Sequence, residues 1–208
     1  MTALPAGRHF VRGEDGCEAA RRATVWNGRV PDRYPDVIVQ ARDTEDVIIA
    51  LRRGCRGAPC HGLLGRTQRA GEPPPRRRTA ARGQAARPLH HRRRPETAVV
   101  GPGKEGSALA AELDARGLFF PTGHCTGVAL GGYLLQGGYG WNSRLLGPAC
   151  ESVLAVDVVT ADGRHLSCDA EHHPDLYCAA RGADPGFCGV VTAFHLGLHP
   201  RPAVCAGR

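Results

Sequence analysis

Apolar and polar positions follow clear periods over most of this chain and lose them over one long stretch. Residues 34–41 (YPDVIVQA) place a β-branched run after a proline, which predicts a buried strand. Asp43-Thr44-Glu45-Asp46 then sets carboxylates and a capping oxygen ahead of an amphipathic helix from Val47 to Arg53, with Arg52 and Arg53 in its last turn. Strand followed by helix is half of a βαβ unit. The pattern returns at Thr97-Ala98-Val99-Val100, a short strand, after which Gly101-Pro102-Gly103 turns into a helix over 105–115. Leu109 and Leu113 lie one turn apart on that helix, and Gly117 supplies its stop. Residues 153–160 (VLAVDVVT), an Asp162-Gly163 turn and residues 165–167 read as a hairpin. A short helix over 174–180, capped by His172-His173, and a strand over 189–198 complete an α+β pattern.

Composition changes this picture in the middle of the chain. In residues 52–94, Arg (13), Ala (6), Gly (6) and Pro (5) fill 30 of 43 positions, and the large apolar residues shrink to Leu63, Leu64 and Leu89. Such a stretch buries too little surface to offset its chain entropy, which predicts disorder or poor packing, with Pro73-Pro74-Pro75 as a solvated polyproline run. Arg outnumbers Lys 26 to 1 over the chain. That bias fits GC-rich codons, and GC-rich codons read out of frame yield mainly Arg, Pro, Ala and Gly. Residues 55–94 therefore read as an aberrant, frame-shifted stretch. The expected organisation is a first lobe beginning in 1–54, the aberrant 55–94, the remaining lobe in 95–200 and a tail in 201–208.

Charge follows the same division. The formal net charge is +7, yet residues 52–94 hold thirteen arginines against one acid, Glu72, while the rest carries 14 basic and 19 acidic residues. The basicity belongs to the stretch, so it is poor evidence for a nucleic-acid partner, and no aromatic is interleaved there to stack a base. No run approaches the roughly 18 apolar residues of a membrane span. The first residues (MTALPAGRHF) show no apolar signal core, and nine cysteines, an odd number, argue for reduced thiols. The expectation is a cytoplasmic chain with neither a nucleic-acid nor a membrane partner.

Two motifs point to familiar chemistry weakly. Residues 101–106 (GPGKEG) spell the dinucleotide-binding glycine pattern between a strand and a helix, but residues 115–150 contain no acid to meet a ribose. Cys55, Cys60, His61, His90 and His91 could be assembled into a zinc site, but no second ordered ligand pair flanks them, so no metal is expected. Cys17, Cys150, Cys168, Cys178, Cys188 and Cys205 share no ligand spacing.

The informative segment is 121–147 (PTGHCTGVALGGYLLQGGYGWNSRLLG). Seven glycines between 123 and 140, two pairs among them, predict a backbone approached closely by another backbone or by a flat ligand. A helix starting near Gly127 would put Cys125 by its N-terminus, where the dipole favours thiolate.

This segment and its continuation through ESVLAVDVVTADGR, with HHPDLYCAARG and GFCGVVTAFHLGLHP behind it, resemble the berberine-bridge-type FAD-linked oxidases of the vanillyl-alcohol-oxidase-like flavoproteins. WNGRVPDRYPDVIVQARDTEDVIIALRRG resembles the start of the same PCMH-type FAD-binding domain. The likeness covers about residues 20–54 and 96–200. It implies a domain of two α+β lobes with FAD between them, and hydride transfer from a small organic substrate to flavin with molecular oxygen as re-oxidant. It makes Cys125 the candidate covalent flavin link. Gly123, His124, Gly127, Gly131, Gly132 and Gly137 become flavin contacts by motif position, and Gly189, Val190 and Val191 contacts through their backbone.

Departures accompany the likeness. No G-G-H element occurs in 55–94, so a histidyl flavin link is carried to none of His61, His90 or His91. The chain ends at Arg208, where the family continues into a substrate-binding domain, so no residue is assigned as catalytic base. A truncated, non-catalytic flavin-domain remnant is the alternative, ahead of a nucleic-acid-binding protein acting through the arginines.

Overall fold

The β-branched run after Pro35 forms its strand, and the acidic cap after it starts its helix three residues early. In the computed structural model, which describes residues 6–24, 28–30, 32, 34–54, 79–81, 96–183 and 186–201, the first lobe contains β1 (Arg8–Val11), α1 (Cys17–Ala23), β2 (Val37–Gln40), α2 (Thr44–Gly54) and β3 (Thr79–Ala81). Asp43 accepts the Asp46 N–H at 2.9 Å, so helical geometry begins at Thr44 and not Val47. Asp46, only 2% exposed, accepts three further backbone N–H groups, from Ala6, Gly7 and Arg42, at 2.6, 3.0 and 2.9 Å. One buried carboxylate thus ties the N-terminal segment to α2.

β1 pairs antiparallel with β2, and β2 pairs parallel with β3. The β2–α2–β3 sequence completes the βαβ unit whose first half the pattern predicts. Apart from the backbone of 79–81, which is strand, residues 55–94 lie outside the described residues. The expectations of disorder and of a polyproline run fall there, as do Cys55, Cys60, His61, His90 and His91.

The second lobe is a four-stranded antiparallel sheet in the order β4-β8-β6-β7, built from β4 (Thr97–Val100), β6 (Val153–Thr160), β7 (His165–Cys168) and β8 (Gly189–Gly197). Around it lie α3 (Gly106–Asp114), α4 (Leu130–Leu135), α5 (Ser143–Leu146) and α6 (Pro174–Ala179), with β5 (Leu118–Phe119) pairing β9 (His199–Pro200) at the rim. Leu109 and Leu113 of α3, Leu130 and Leu134 of α4, and Val156, Val158, Phe194 and Leu196 of the sheet form one core. Ala41, Val47 and Leu51 of the first lobe join it. The lobes therefore share their apolar interior. At its edge Arg52 donates to the Gly163 carbonyl at 3.1 Å, and the guanidinium Nε lies 2.6 Å from where a Cβ on Gly163 would stand.

α6 is held by Tyr177, whose hydroxyl donates to the Val153 carbonyl at 2.6 Å. His173 occupies the N-cap position at φ 52° but makes no side-chain cap, and His172 bonds Asp169 instead, so the expected histidine cap is absent. All six cysteines among the described residues carry free thiols.

Candidate functional site

The glycine-dense segment folds against the turn that follows β4. Gly106 donates to the Val128 carbonyl at 2.9 Å, Leu130 to Lys104 at 2.9 Å and Gly131 to Pro102 at 2.8 Å. These bonds decide the first motif. Of the N–H donors a dinucleotide pyrophosphate would need in 101–106, that of Gly106 is spent on Val128 and that of Lys104 on Gly101, and neither Gly101 nor Gly103 adopts a positive φ. Close approach of backbone to backbone falls at Gly140, where a Cβ would stand 2.5 Å from the Thr122 carbonyl oxygen.

The helix expected near Gly127 starts instead at Leu130, and it is six residues long. Val128 is still bonded to α3, Gly127 turns through φ +77° and Ala129 is extended, so helical geometry is delayed. Cys125 accordingly lies in the loop ahead of α4 and outside its first turn, which removes the dipole argument for its thiolate. The thiol is exposed. His124 beside it meets the Trp141 ring at 5.1 Å and 55°. Trp141 is 80% exposed, Tyr139 71% and Leu145 84%, so one short stretch of surface carries three large unsheltered side chains.

Tyr133 of α4 supports this surface from beneath. Its hydroxyl donates to the Pro121 carbonyl at 2.9 Å, and its ring fills space left by Gly123 and Gly138. Gly138, at φ +75°, would place a Cβ 2.7 Å from the ring, so glycine is required there on two counts. Gly137 and Gly138 accept from Cys150 and Ala149 at 2.9 and 2.7 Å, which closes the segment on itself. Burial pushes the Tyr133 phenol up to about 12, so it stays a donor throughout the neutral range. Burial likewise raises the thiols of Cys150 and Cys168.

β8 supplies a second feature. It pairs with β6 from Gly189 to Leu196 but with β4 only from Phe194 to Gly197. On the β4 side, residues 189–193 therefore have no strand partner among the described residues. Val190 and Val191 point into the core, and a Cβ on Gly189 would stand 2.5 Å from Val158, so these three residues offer a ligand backbone and not side chains. The 101–106 turn leaves β4 at Val100, opposite Phe194, and thus begins alongside this free edge, with the start of α4 bonded to it. Gly127, at φ +77°, has open space where its Cβ would be. An exposed thiol, open glycine backbone and an unpaired strand edge suit a large flat cofactor held by backbone contacts. Among the described residues no three His, Cys, Asp or Glu converge as a metal cluster.

The FAD binding domain family matches residues 35–169. This chain belongs to that family. An FAD-linked oxidoreductase from Hypoxylon pulicicidum is 36% identical over 191 residues, covering 88% of this FAD-binding chain and 41% of the relative. One from Penicillium janthinellum is 48% identical over 101 residues, 49% of this chain and 22% of that one. The structure of 6-hydroxy-D-nicotine oxidase from Arthrobacter nicotinovorans superposes with a TM-score of 0.82 at 25% identity, over 96% of this chain and 43% of its own. The chain thus spans about two fifths of the length of the first of these relatives. The two-lobed α+β fold is that of the PCMH-type FAD-binding domain, and FAD is its cofactor.

Sequence reasoning did not single out Tyr133, the His124–Trp141 contact or the pair of Asp157 and His195. An aromatic placed directly after a glycine pair was the available signal for Tyr133, and Tyr139 carries the same one. The last pair bridges the two central strands, with Asp157 Oδ1 of β6 3.3 Å from His195 Nε2 of β8. Burial pushes the Asp157 carboxyl up, but His195 and the Ser167 hydroxyl outweigh it and hold the group below its ordinary value.

Proposed function

We propose that this chain is the flavin-holding part of an oxidoreductase acting on a small organic molecule, with Cys125 as the point of covalent attachment. The observation that carries the reading is the exposed Cys125 thiol at the tip of a loop braced by glycine-rich backbone. FAD, when bound, supplies a two-electron acceptor for the substrate's hydride. The chain's residues bind and orient it: the free edge at Gly189, Val190 and Val191 offers backbone hydrogen bonds, Gly127 leaves room for the ring, and His124 with Trp141 borders the thiol. Cys125 would hold the flavin through a thioether to a ring carbon, with the thiol proton, a ring hydrogen and two electrons passing to molecular oxygen. Free thiols among the described residues suit a reducing, cytoplasmic setting. No described helix is long and apolar enough to cross a membrane.

The test is the visible absorption spectrum of the purified chain before and after acid precipitation and washing. Flavin bands that stay with the pellet, and are lost in Cys125→Ala, are the expected outcome. Bands released by acid refute the covalent link. A colourless protein that does not take up added FAD refutes the reading as a whole.

A further inference from the structure

The loop that presents Cys125 is an arch with two feet. At one foot the Val128 carbonyl accepts the Gly106 N–H, a backbone bond that any sequence could make. At the other, the Pro121 carbonyl accepts the Tyr133 hydroxyl at 2.9 Å, a bond that depends on one side chain. Beyond this foot the Thr122 carbonyl lies 2.5 Å from where a Cβ on Gly140 would be, so the arch is pressed against the 138–140 segment, and a Cβ on Gly140 would also stand 3.3 Å from the Tyr133 oxygen. A Cβ on Gly123 would meet the same ring at 3.2 Å. Three glycines from two separate stretches thus make room for one tyrosine, which is itself fixed because α4 is bonded at Leu130 and Gly131 to the turn after β4.

We propose that Tyr133 is a positioning residue: its hydroxyl sets the height and direction of the Cys125 arch, and so the placement of the thiol. The use of that placement rests on the flavin reading above, but the placement itself does not. Because burial keeps the phenol protonated, the brace holds across the working pH range. Tyr133→Phe removes the brace and keeps the ring, so the core beneath α4 is undisturbed.

The experiment uses the full chain without added flavin. Amide hydrogen exchange in residues 121–128 should quicken roughly fivefold in Tyr133→Phe, the scale of one lost hydrogen bond, while β6 and β8 keep their rates. Iodoacetamide labelling of Cys125, measured against the exposed Cys178 and Cys188 in the same sample, should change at least twofold. With flavin supplied during expression, the acid-stable fraction should fall by a similar factor. Unchanged exchange in 121–128, or an equal rise in β6 and β8, overturns the proposal. Faster exchange with unchanged Cys125 labelling also overturns it, because Tyr133 then props the loop without placing the thiol. If the unmodified chain holds no acid-stable flavin, the proposed function fails, while exchange and labelling still decide the role of Tyr133.

Discussion

The paired strands β6 and β8 and the glycine-dense segment 121–150 are neighbours in one lobe, yet they are held in opposite ways. The strands are fixed by side chains: Val156, Val158, Phe194 and Leu196 are wholly buried, and apolar area removed from water holds them in place. The segment is fixed largely by backbone, through bonds to Pro102, Lys104 and Gly106 on one side and within 137–150 on the other. Leu130 and Leu134 of α4 anchor it in the core, while Tyr139, Trp141 and Leu145 face outward. Where backbone shares the holding with a few buried leucines, the remaining side chains are left free for a ligand, and this is the region that carries Cys125.

The sharpest way to break this contrast is to delete a core side chain. Phe194→Ala should cost about 3–5 kcal/mol, read as a lowered denaturation midpoint with glycine segment and sheet lost together. A cost below about 1 kcal/mol would mean the strands do not depend on that burial. Gly138→Ala probes the other mode. It forces an alanine to φ +75° and a Cβ into the Tyr133 ring, for about 1–3 kcal/mol, and faster exchange should be confined to 121–150. Equal loss throughout would show that the two regions are one cooperative unit.

The smallest effect concerns the Asp157–His195 contact in the sheet. Asp157 is held below its ordinary value in the folded chain, so it adds stability that is complete above the unfolded-state value and is lost as pH falls through the folded one. Asp157→Asn should therefore flatten the acid limb of a stability–pH curve and leave its slope near neutrality unchanged. A variant with the same acid limb as the parent would remove the Asp157–His195 contact from the account.

Much of this was legible in the order of residues. The strand after Pro35, the strand before Gly101, the Asp162-Gly163 hairpin and the nine-residue β8 depend on local periods, and each formed within a few residues of its expected bounds. Cys125 stood out because a His-Cys pair ahead of paired glycines makes poor core. The start of α4 was not legible, because the bond between Val128 and Gly106 comes from a residue over twenty positions away. The histidine cap before α6 failed for a similar reason, since Asp169 takes His172 before the helix can use it.

The sequence by itself determined the order of β2, α2, β4, α3, β6, β7, α6 and β8, the α+β class and the residues with chemistry worth following, because periodicity, capping and turn chemistry act within a few positions. Only the tertiary structure decided which backbone groups remain available. It spent the Gly106 N–H and the Pro102 and Lys104 carbonyls on the glycine segment, left the edge of β8 at 189–193 without a strand beside it among the described residues, and set Tyr133 under the Cys125 arch. Those outcomes depend on pairings between distant stretches of chain. A hydrogen-bonding group is open to a ligand only when no such partner has reached it first.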